Sequence, residues 1–207
     1  MIVKLLDSTS YEYGVEHLSY SFDISGLSRA CLQEICRHRI ASYTVKSSRY
    51  TLQELKKEQP FCSFEILEGD LLHTYNTKEQ VERASKFLKF TGEESVDIKS
   101  IASLELLRQE LIKGTSNDIA KYCMPEAYKT SLVMTINARA LQNFLELRSS
   151  KHALWEIQNL AKAMYEVLPE NHKFLFDYIY EKENTNGINW YSKIRSGYII
   201  KRLHIGI

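Results

Sequence analysis

Arg37, His38, Arg39, Lys46 and Arg49 crowd into thirteen residues with no carboxylate among them, interleaved with Ser42, Thr44, Ser47 and Ser48. The chemistry such a set can do is to hold an anion. Guanidinium forks give paired hydrogen bonds to a phosphate, hydroxyls add neutral donors, and a loop leaving a helix turns backbone N–H groups toward the same ligand. A solvated basic surface or a nucleic-acid patch is the plainer reading of an isolated Arg-His-Arg. Ser47 is no obvious nucleophile, because the segment Ile40 to Tyr50 holds no Asp, Glu or His to activate it.

A second constellation lies about a hundred residues on: Asn137-Ala138-Arg139, then Asn143, Arg148 and His152. Helical spacing pairs Arg139 with Asn143, and Arg148 with His152. Read plainly, Asn137 is a strand-end turn and Arg148 a surface cation. Cys31, Cys36, His38 and His17 could be written as four zinc ligands, but Cys31 belongs to an apolar stripe and Cys36 to the helix presenting the arginines, so no metal is expected. Cys36 adjoins Arg37, which could lower a thiol pKa, yet packing is the simpler role for it.

Certain classes drop out on composition. A formal net charge of +1 gives the whole chain no bias toward nucleic acid or an anionic membrane, so any anion site must come from local clustering. With 44% hydrophobic and 26% charged residues over 207 positions, the chain can bury a core as one globular domain. Four cysteines without a CxxC pair read as reduced thiols. The N-terminus reaches Asp7 without the apolar run of a signal peptide, and no stretch approaches a membrane helix. A cytoplasmic protein is the expectation.

The elements that must position these residues follow from periodicity. Leu18, Tyr20, Phe22 and Ile24 alternate with Ser19, Ser21 and Asp23, predicting a strand from Glu16 to Ile24 ended by Ser25 and Gly26. Leu27, Cys31 and Ile35 then predict a helix, capped by Ser25 or Ser28, that delivers Arg37-His38-Arg39 at its C-terminal end. Lys56 to Gly69, with Pro60, reads as an irregular connector. Val81, Ala84, Phe87 and Leu88 mark one amphipathic helix, and Ile101, Leu104, Leu107 and Leu111 a second, closed by Gly114. Tyr128 to Ile136 reads as a strand ended by Asn137. Helices from Ala138 to Leu147 and from Lys151 to Leu168 follow, the latter capped by Ser149 or Ser150. The tail, Asn184 to Ile207, breaks the pattern with Trp190, Tyr191, Lys193, Arg195, Tyr198, Lys201 and Arg202, and reads as an extra hairpin or a disordered end.

The spacing says more than a basic cluster does. Arg37-His38-Arg39, then Ser42, Ser47, Arg49 and Tyr50, resembles the signature of flavin-dependent thymidylate synthases. Asn-Ala-Arg-x-Leu-x-Asn-Phe-Leu-x-Leu-Arg, from Asn137 to Arg148 and followed by His152, is similar to that family's second motif. Glu16-His17 resembles the family's Leu-Glu-His before a strand, and Lys121, four residues before Pro125, falls where the family usually has a phosphate-binding arginine. The resemblance runs roughly from Leu18 to Leu175.

It implies an α/β (α+β) fold: a single mixed domain over residues 1–183, with a central antiparallel sheet flanked by helices and two long C-terminal helices, and a tail from 184 to 207 of unknown role. It implies an enzyme making dTMP from dUMP, with FAD as cofactor, methylenetetrahydrofolate as carbon donor and NADPH as reductant, in a homotetramer whose sites are shared between subunits. Flavin contacts are implied for Glu16, Arg37, His38, Arg39, Val45, Asn137, Arg139, Asn143 and His152. Contacts to dUMP are implied for Glu34, Arg37, Val45, Lys46, Ser47, Ser48, Arg49 and Arg148, with Lys121 from a neighbouring subunit. Arg148, set against the uracil, is the implied catalytic group. Thr44-Val45 stands where family members commonly have Asn-Glu, and Glu34 where glutamine is frequent. About ten residues, Leu5 to Val15, stand where the family usually has some forty. The alternative from another class is a noncatalytic nucleotide- or RNA-binding paralogue using the basic loop and tail.

Overall fold

The computed structural model describes residues 14–67, 70–75, 77–179 and 199–206. Most of the segment Leu5 to Val15 and most of the tail, 184–198, lie outside them. In chain order the elements are β1 (Ser19–Ser28), α1 (Arg29–Ile35), β2 (Ala41–Val45), α2 (Ser48–Leu55), β3 (Ser63–Leu67), β4 (Asp70–Tyr75), α3 (Lys78–Ser85) and α4 (Glu94–Lys113). The short α5 (Asn117–Ala120), then β5 (Lys129–Asn137), α6 (Ala138–Arg148), α7 (Trp155–Glu166) and β6 (Ile199–Gly206) follow, and 3₁₀ helices cover Val15–His17, which holds Glu16 outside the strand, Lys121–Cys123 and Glu170–Leu175. They sort into two compact units, one drawn from Met1–Ser25, Gln33–Val45 and Ser131–Ile207, the other from Gly26–Leu32 and Lys46–Thr130.

The first unit is built on a sheet of order β2-β5-β1-β6. Period-2 burial makes it: Tyr20, Phe22 and Ile24 of β1 and Leu132, Met134 and Ile136 of β5 are buried, each worth about 1.5–3 kcal/mol of apolar transfer. On the polar face the Ser21 and Thr135 hydroxyls hydrogen-bond at 2.8 Å. β2 pairs antiparallel with β5, from Ala41 opposite Ile136 to Val45 opposite Leu132. β6 pairs antiparallel with β1, so the part of the tail from Ile199 to Gly206 is a strand of this sheet rather than a loose end.

β1 starts later than its alternation suggests, at Ser19, and passes through Gly26 to Ser28. Gly26 sits at φ +80°, a conformation open to glycine, and the strand bends there instead of stopping. Of the two serines offered as caps, Ser28 serves: its Oγ accepts the Cys31 N–H at 3.0 Å. Asn137 closes β5 and caps α6, its side chain accepting the Ala140 N–H at 2.8 Å. α7 begins at Trp155, four residues after the expected Lys151, with Leu154 at its cap position and no side-chain cap. Ser149 is still tied to the preceding helix, donating its N–H to the Leu145 carbonyl, so neither it nor Ser150 caps α7. The two C-terminal helices are 11 and 12 residues long, shorter than the 20-residue α4.

In the second unit Leu52, Leu55, Phe61, Leu88, Ile101, Leu104, Leu107, Leu111 and Tyr128 form one buried cluster. Gly114, at φ +97°, ends α4 as expected, its N–H bonded to the Leu111 carbonyl. The connector Lys56 to Gly69 contains β3, which pairs with β4. α3 ends at Ser85, leaving Phe87 and Leu88 beyond it as core residues of the following segment.

Candidate active site

The site of the first unit starts from the C-terminus of α1, whose last carbonyls have no partner within the helix. The Ile35 carbonyl accepts the His38 N–H at 3.0 Å. The Tyr43 hydroxyl lies 3.0 Å from the same carbonyl and 2.7 Å from that of His38, and its one proton serves both. Burial pushes this phenol up to about 12, so it keeps that proton. The Glu34 carbonyl accepts a hydrogen bond from Arg148 Nη2 at 2.9 Å. A guanidinium at a helix C-terminus meets the negative end of the helix dipole, which favours it.

Arg148 ties the two motifs together across more than a hundred residues of sequence. Its Nη1 donates to Glu34 Oε2 at 2.8 Å and its Nε to His38 Nε2 at 2.8 Å. Because His38 Nε2 accepts that bond, the ring is neutral and carries its proton on Nδ1. Burial and the Arg148 charge hold His38 down to about 4, with the Glu34 carboxylate pulling the other way. The ring also packs on Phe144, centroids 4.6 Å apart. Glu34 Oε1 accepts from Arg37 Nη1 at 3.0 Å, so one carboxylate bridges two arginines. Burial works to raise the Glu34 pKa, but the hydrogen bonds from Arg37 and Arg148 outweigh it and hold the group below the usual range.

Of these, Arg37, His38 and Arg148 border a pocket of about 630 Å³, within the size range of small-molecule and cofactor sites. Arg37, Arg39, Arg139 and Arg148 line it against a single carboxylate, Glu16. With His38 neutral, the lining is strongly cationic. Asn137 and Asn143 add neutral polar groups, and Ile40, Ile136, Ala140 and Leu147 supply apolar wall. The apolar part escapes a search for chemical residue types. Ala140 and Leu147 share the helical face of Asn143, at spacings of three and four, and that periodicity could have found them; nothing comparable marks Ile40.

Seven of the nine residues implied for flavin contact thus lie around one pocket: Glu16, Arg37, His38, Arg39, Asn137, Arg139 and Asn143. Val45 and His152 are not among the lining residues. Pairing His152 with Arg148 by helical spacing fails because α6 stops at Arg148, and His152 is exposed in the following turn, its N–H 3.4 Å from Ser150 Oγ. Arg139 donates to Gln142 at 3.1 Å. Asn137 is also the strand-end cap of its plainer reading.

Of the residues implied for dUMP, Lys46, Ser47, Ser48, Arg49 and Lys121 belong to the second unit. Lys46 and Ser47 are exposed in the loop after β2, and Ser48 and Arg49 open α2. Lys121 begins a 3₁₀ turn and pairs with Asp118 at 3.5 Å. Cys36 is exposed, and burial of its thiol moves it upward in pKa, away from a thiolate. Among the described residues no group of three or more His, Cys, Asp or Glu could hold a metal ion.

Fold and pocket define a mixed α/β protein with an arginine-rich site sized for a nucleotide-like anion. Residues 1–172 match the family model described as thymidylate synthase complementing protein. The flavin-dependent thymidylate synthase of Wolinella succinogenes is 58% identical over 176 residues, covering 85% of this chain and 79% of that protein. That of Helicobacter pylori strain 26695 is 51% identical over 164 residues, covering 79% and 73%. A crystal structure of thymidylate synthase X from Helicobacter pylori with FAD and dUMP superposes with a TM-score of 0.72 at 48% identity, covering 84% of this chain and 78% of that one. The chain belongs to the family of flavin-dependent thymidylate synthases.

Proposed function

We propose that the arginine-lined pocket holds FAD and that the protein converts dUMP to dTMP, with methylenetetrahydrofolate as carbon donor and NADPH as the source of reducing equivalents. The observation that carries this reading is the convergence of Arg37, Arg39, Arg139 and Arg148 on one cavity of nucleotide size. Four guanidinia facing one carboxylate suit a pyrophosphate-bearing ligand, and the apolar wall of Ile40, Ile136 and Leu147 suits a planar ring. FAD, when bound, supplies the hydride chemistry, while the chain supplies position and charge.

Within that reading each residue has a defined task. Arg37, Arg39 and Arg139 bind and orient the flavin nucleotide. Neutral His38 accepts from Arg148 Nε and carries its own proton on Nδ1. Arg148, always charged, stabilises negative charge developing on the uracil ring. Ser47, Ser48 and Arg49 hold the dUMP phosphate, helped by Lys121 of a neighbouring subunit, Lys46 and Val45 complete the nucleotide set, and Glu34 serves it through Arg37 and Arg148.

A homotetramer with shared sites goes with this division of labour. Supporting it are the exposed apolar side chains Ile40, Val45 and Val133 and, among the described residues, the unpaired outer edge of β2. A reducing, cytoplasmic setting suits the four free thiols, Cys31, Cys36, Cys62 and Cys123. Among the described residues no helix is long and apolar enough to cross a membrane. The segment 1–183 acts as the synthase region, and β6 of the tail forms an edge strand of the sheet. The noncatalytic paralogue is the less favoured reading, given enzymes at up to 58% identity among the relatives.

The test is a visible absorbance spectrum of the purified protein with added FAD, followed by a dTMP assay with dUMP, methylenetetrahydrofolate and NADPH. A bound flavin band and dUMP-dependent turnover are expected. A protein that takes up no FAD and binds RNA in a salt-sensitive way would favour the paralogue instead.

A further inference from the structure

We propose that Glu34 is a positioning residue of this site: its carboxylate bridges Arg37 and Arg148 and fixes the Arg148 guanidinium at the pocket wall with N–H groups left over for a ligand. This rests on the reading above, in which Arg148 serves the uracil ring.

An unrestrained arginine carries side-chain rotamer entropy, and a catalytic one that must be ordered during the reaction loses part of its effect to that ordering. Here all three nitrogens are held before any ligand arrives: Nε by His38, Nη1 by the Glu34 carboxylate and Nη2 by the Glu34 carbonyl. Two of these three anchors come from the same residue. A guanidinium has five N–H groups, so Nη1 and Nη2 each keep one, and Arg148 lines the cavity. Donors fixed in advance stabilise developing charge without reorganising, the condition under which such stabilisation is largest.

A direct ligand contact explains Glu34 less well. Both carboxylate oxygens are already engaged, Oε1 with Arg37 and Oε2 with Arg148, and a carboxylate offers no proton to a nucleotide anion. Its charge, taken alone, would weaken the pull of Arg148 on an anionic ring. Geometry is therefore what Glu34 adds, and charge is what that geometry costs. Glutamine keeps one acceptor oxygen, enough for Arg148 though not for both arginines; alanine keeps only the main-chain carbonyl.

Glu34→Ala and Glu34→Gln in the full-length, FAD-loaded enzyme separate these roles. E34A is expected to retain flavin by absorbance and to lose roughly a hundredfold in kcat at saturating dUMP, the cost of a misplaced catalytic group, with a smaller change in the KM for dUMP. E34Q is expected to recover about tenfold or more of that loss. Ligand-free crystal structures of both variants provide the arm that needs no turnover: the Arg148 guanidinium should leave its place beside His38 in E34A and keep it in E34Q. Wild-type protein without dUMP turnover would count against the proposed function, and the crystal structures would still decide this point. The proposal is overturned if Arg148 stays in place in E34A, if E34A turns over dUMP at the wild-type kcat, or if E34Q is as impaired as E34A.

Discussion

Two arginine–glutamate pairs, one in each unit, are built from the same groups and differ in what surrounds them. Glu105 and Arg108 in α4 meet as a fork, Nε on Oε2 at 2.9 Å and Nη2 on Oε1 at 2.8 Å, with the side chains 1% and 10% exposed. The Phe61 N–H and the Gln109 amide also donate to Glu105, and Arg108 Nη1 reaches the Glu58 carbonyl. Every partner there is protein. Burial works to raise the Glu105 pKa, and the Arg108, Phe61 and Gln109 hydrogen bonds outweigh it. Glu34 and Arg148 are 29% and 15% exposed, the Arg148 bonds go to three separate acceptors, and Arg148 lines a cavity. A buried pair whose carboxylate accepts four hydrogen bonds fixes a loop on a helix. Arg148, with as many bonds as Arg108, turns its remaining N–H groups to a cavity wall instead of to packed protein.

The sharpest way to break this comparison is to remove the arginine from the closed pair. Arg108→Ala strands a buried carboxylate, and the expected cost is about 3–5 kcal/mol of unfolding free energy by denaturant titration. A loss well under 1 kcal/mol would show the closed pair to be as dispensable as an exposed one.

Ser47→Ala sharpens the other side, because the proposed function gives Ser47 the task of holding substrate and none in the chemistry. It is expected to raise the KM for dUMP about tenfold, by deleting one hydrogen bond to a charged phosphate, and to leave kcat near wild type. Abolished turnover with dUMP still bound would make Ser47 a participant in the chemistry.

A third test is the pH dependence of the open pair. His38 is lowered from 6.5 to about 4 in the folded chain, so the unfolded chain takes up a proton first as the pH falls. Its contribution is full above 6.5 and is lost progressively between 6.5 and about 4. Glu34, also lowered, loses its share at the acid end of the same descent. The unfolding midpoint of the ligand-free protein should drop over that window, and His38→Asn should drop less. An equal drop in both would place the effect elsewhere.

What could be read from sequence divides along the same line. The motif residues from Arg37 to Arg39 and from Asn137 to Asn143 stood out because their types are costly to keep without a ligand, and their spacing matched a known pattern. α4 was legible because one apolar stripe runs its length and Gly114 closes it. β3 was hidden by its shortness inside a polar connector, and β6 by the absence of any local sign that Ser19 to Ser25 would pair with it. The union of Arg148 with His38 and Glu34 spans 110 and 114 residues, beyond any local periodicity. His152 was misplaced because helical spacing was extended past the end of α6 at Arg148.

The most direct test of the central claim, that the pocket keeps Arg148 ready for charge on the substrate ring, is steady-state kinetics of FAD-loaded Arg148→Ala beside wild type. The account predicts retained flavin, little change in unfolding free energy compared with Arg108→Ala, and a kcat lower by roughly a hundredfold or more at saturating dUMP, as for loss of one oxyanion-stabilising donor. Wild-type kcat in Arg148→Ala, with flavin bound and dUMP saturating, would contradict it.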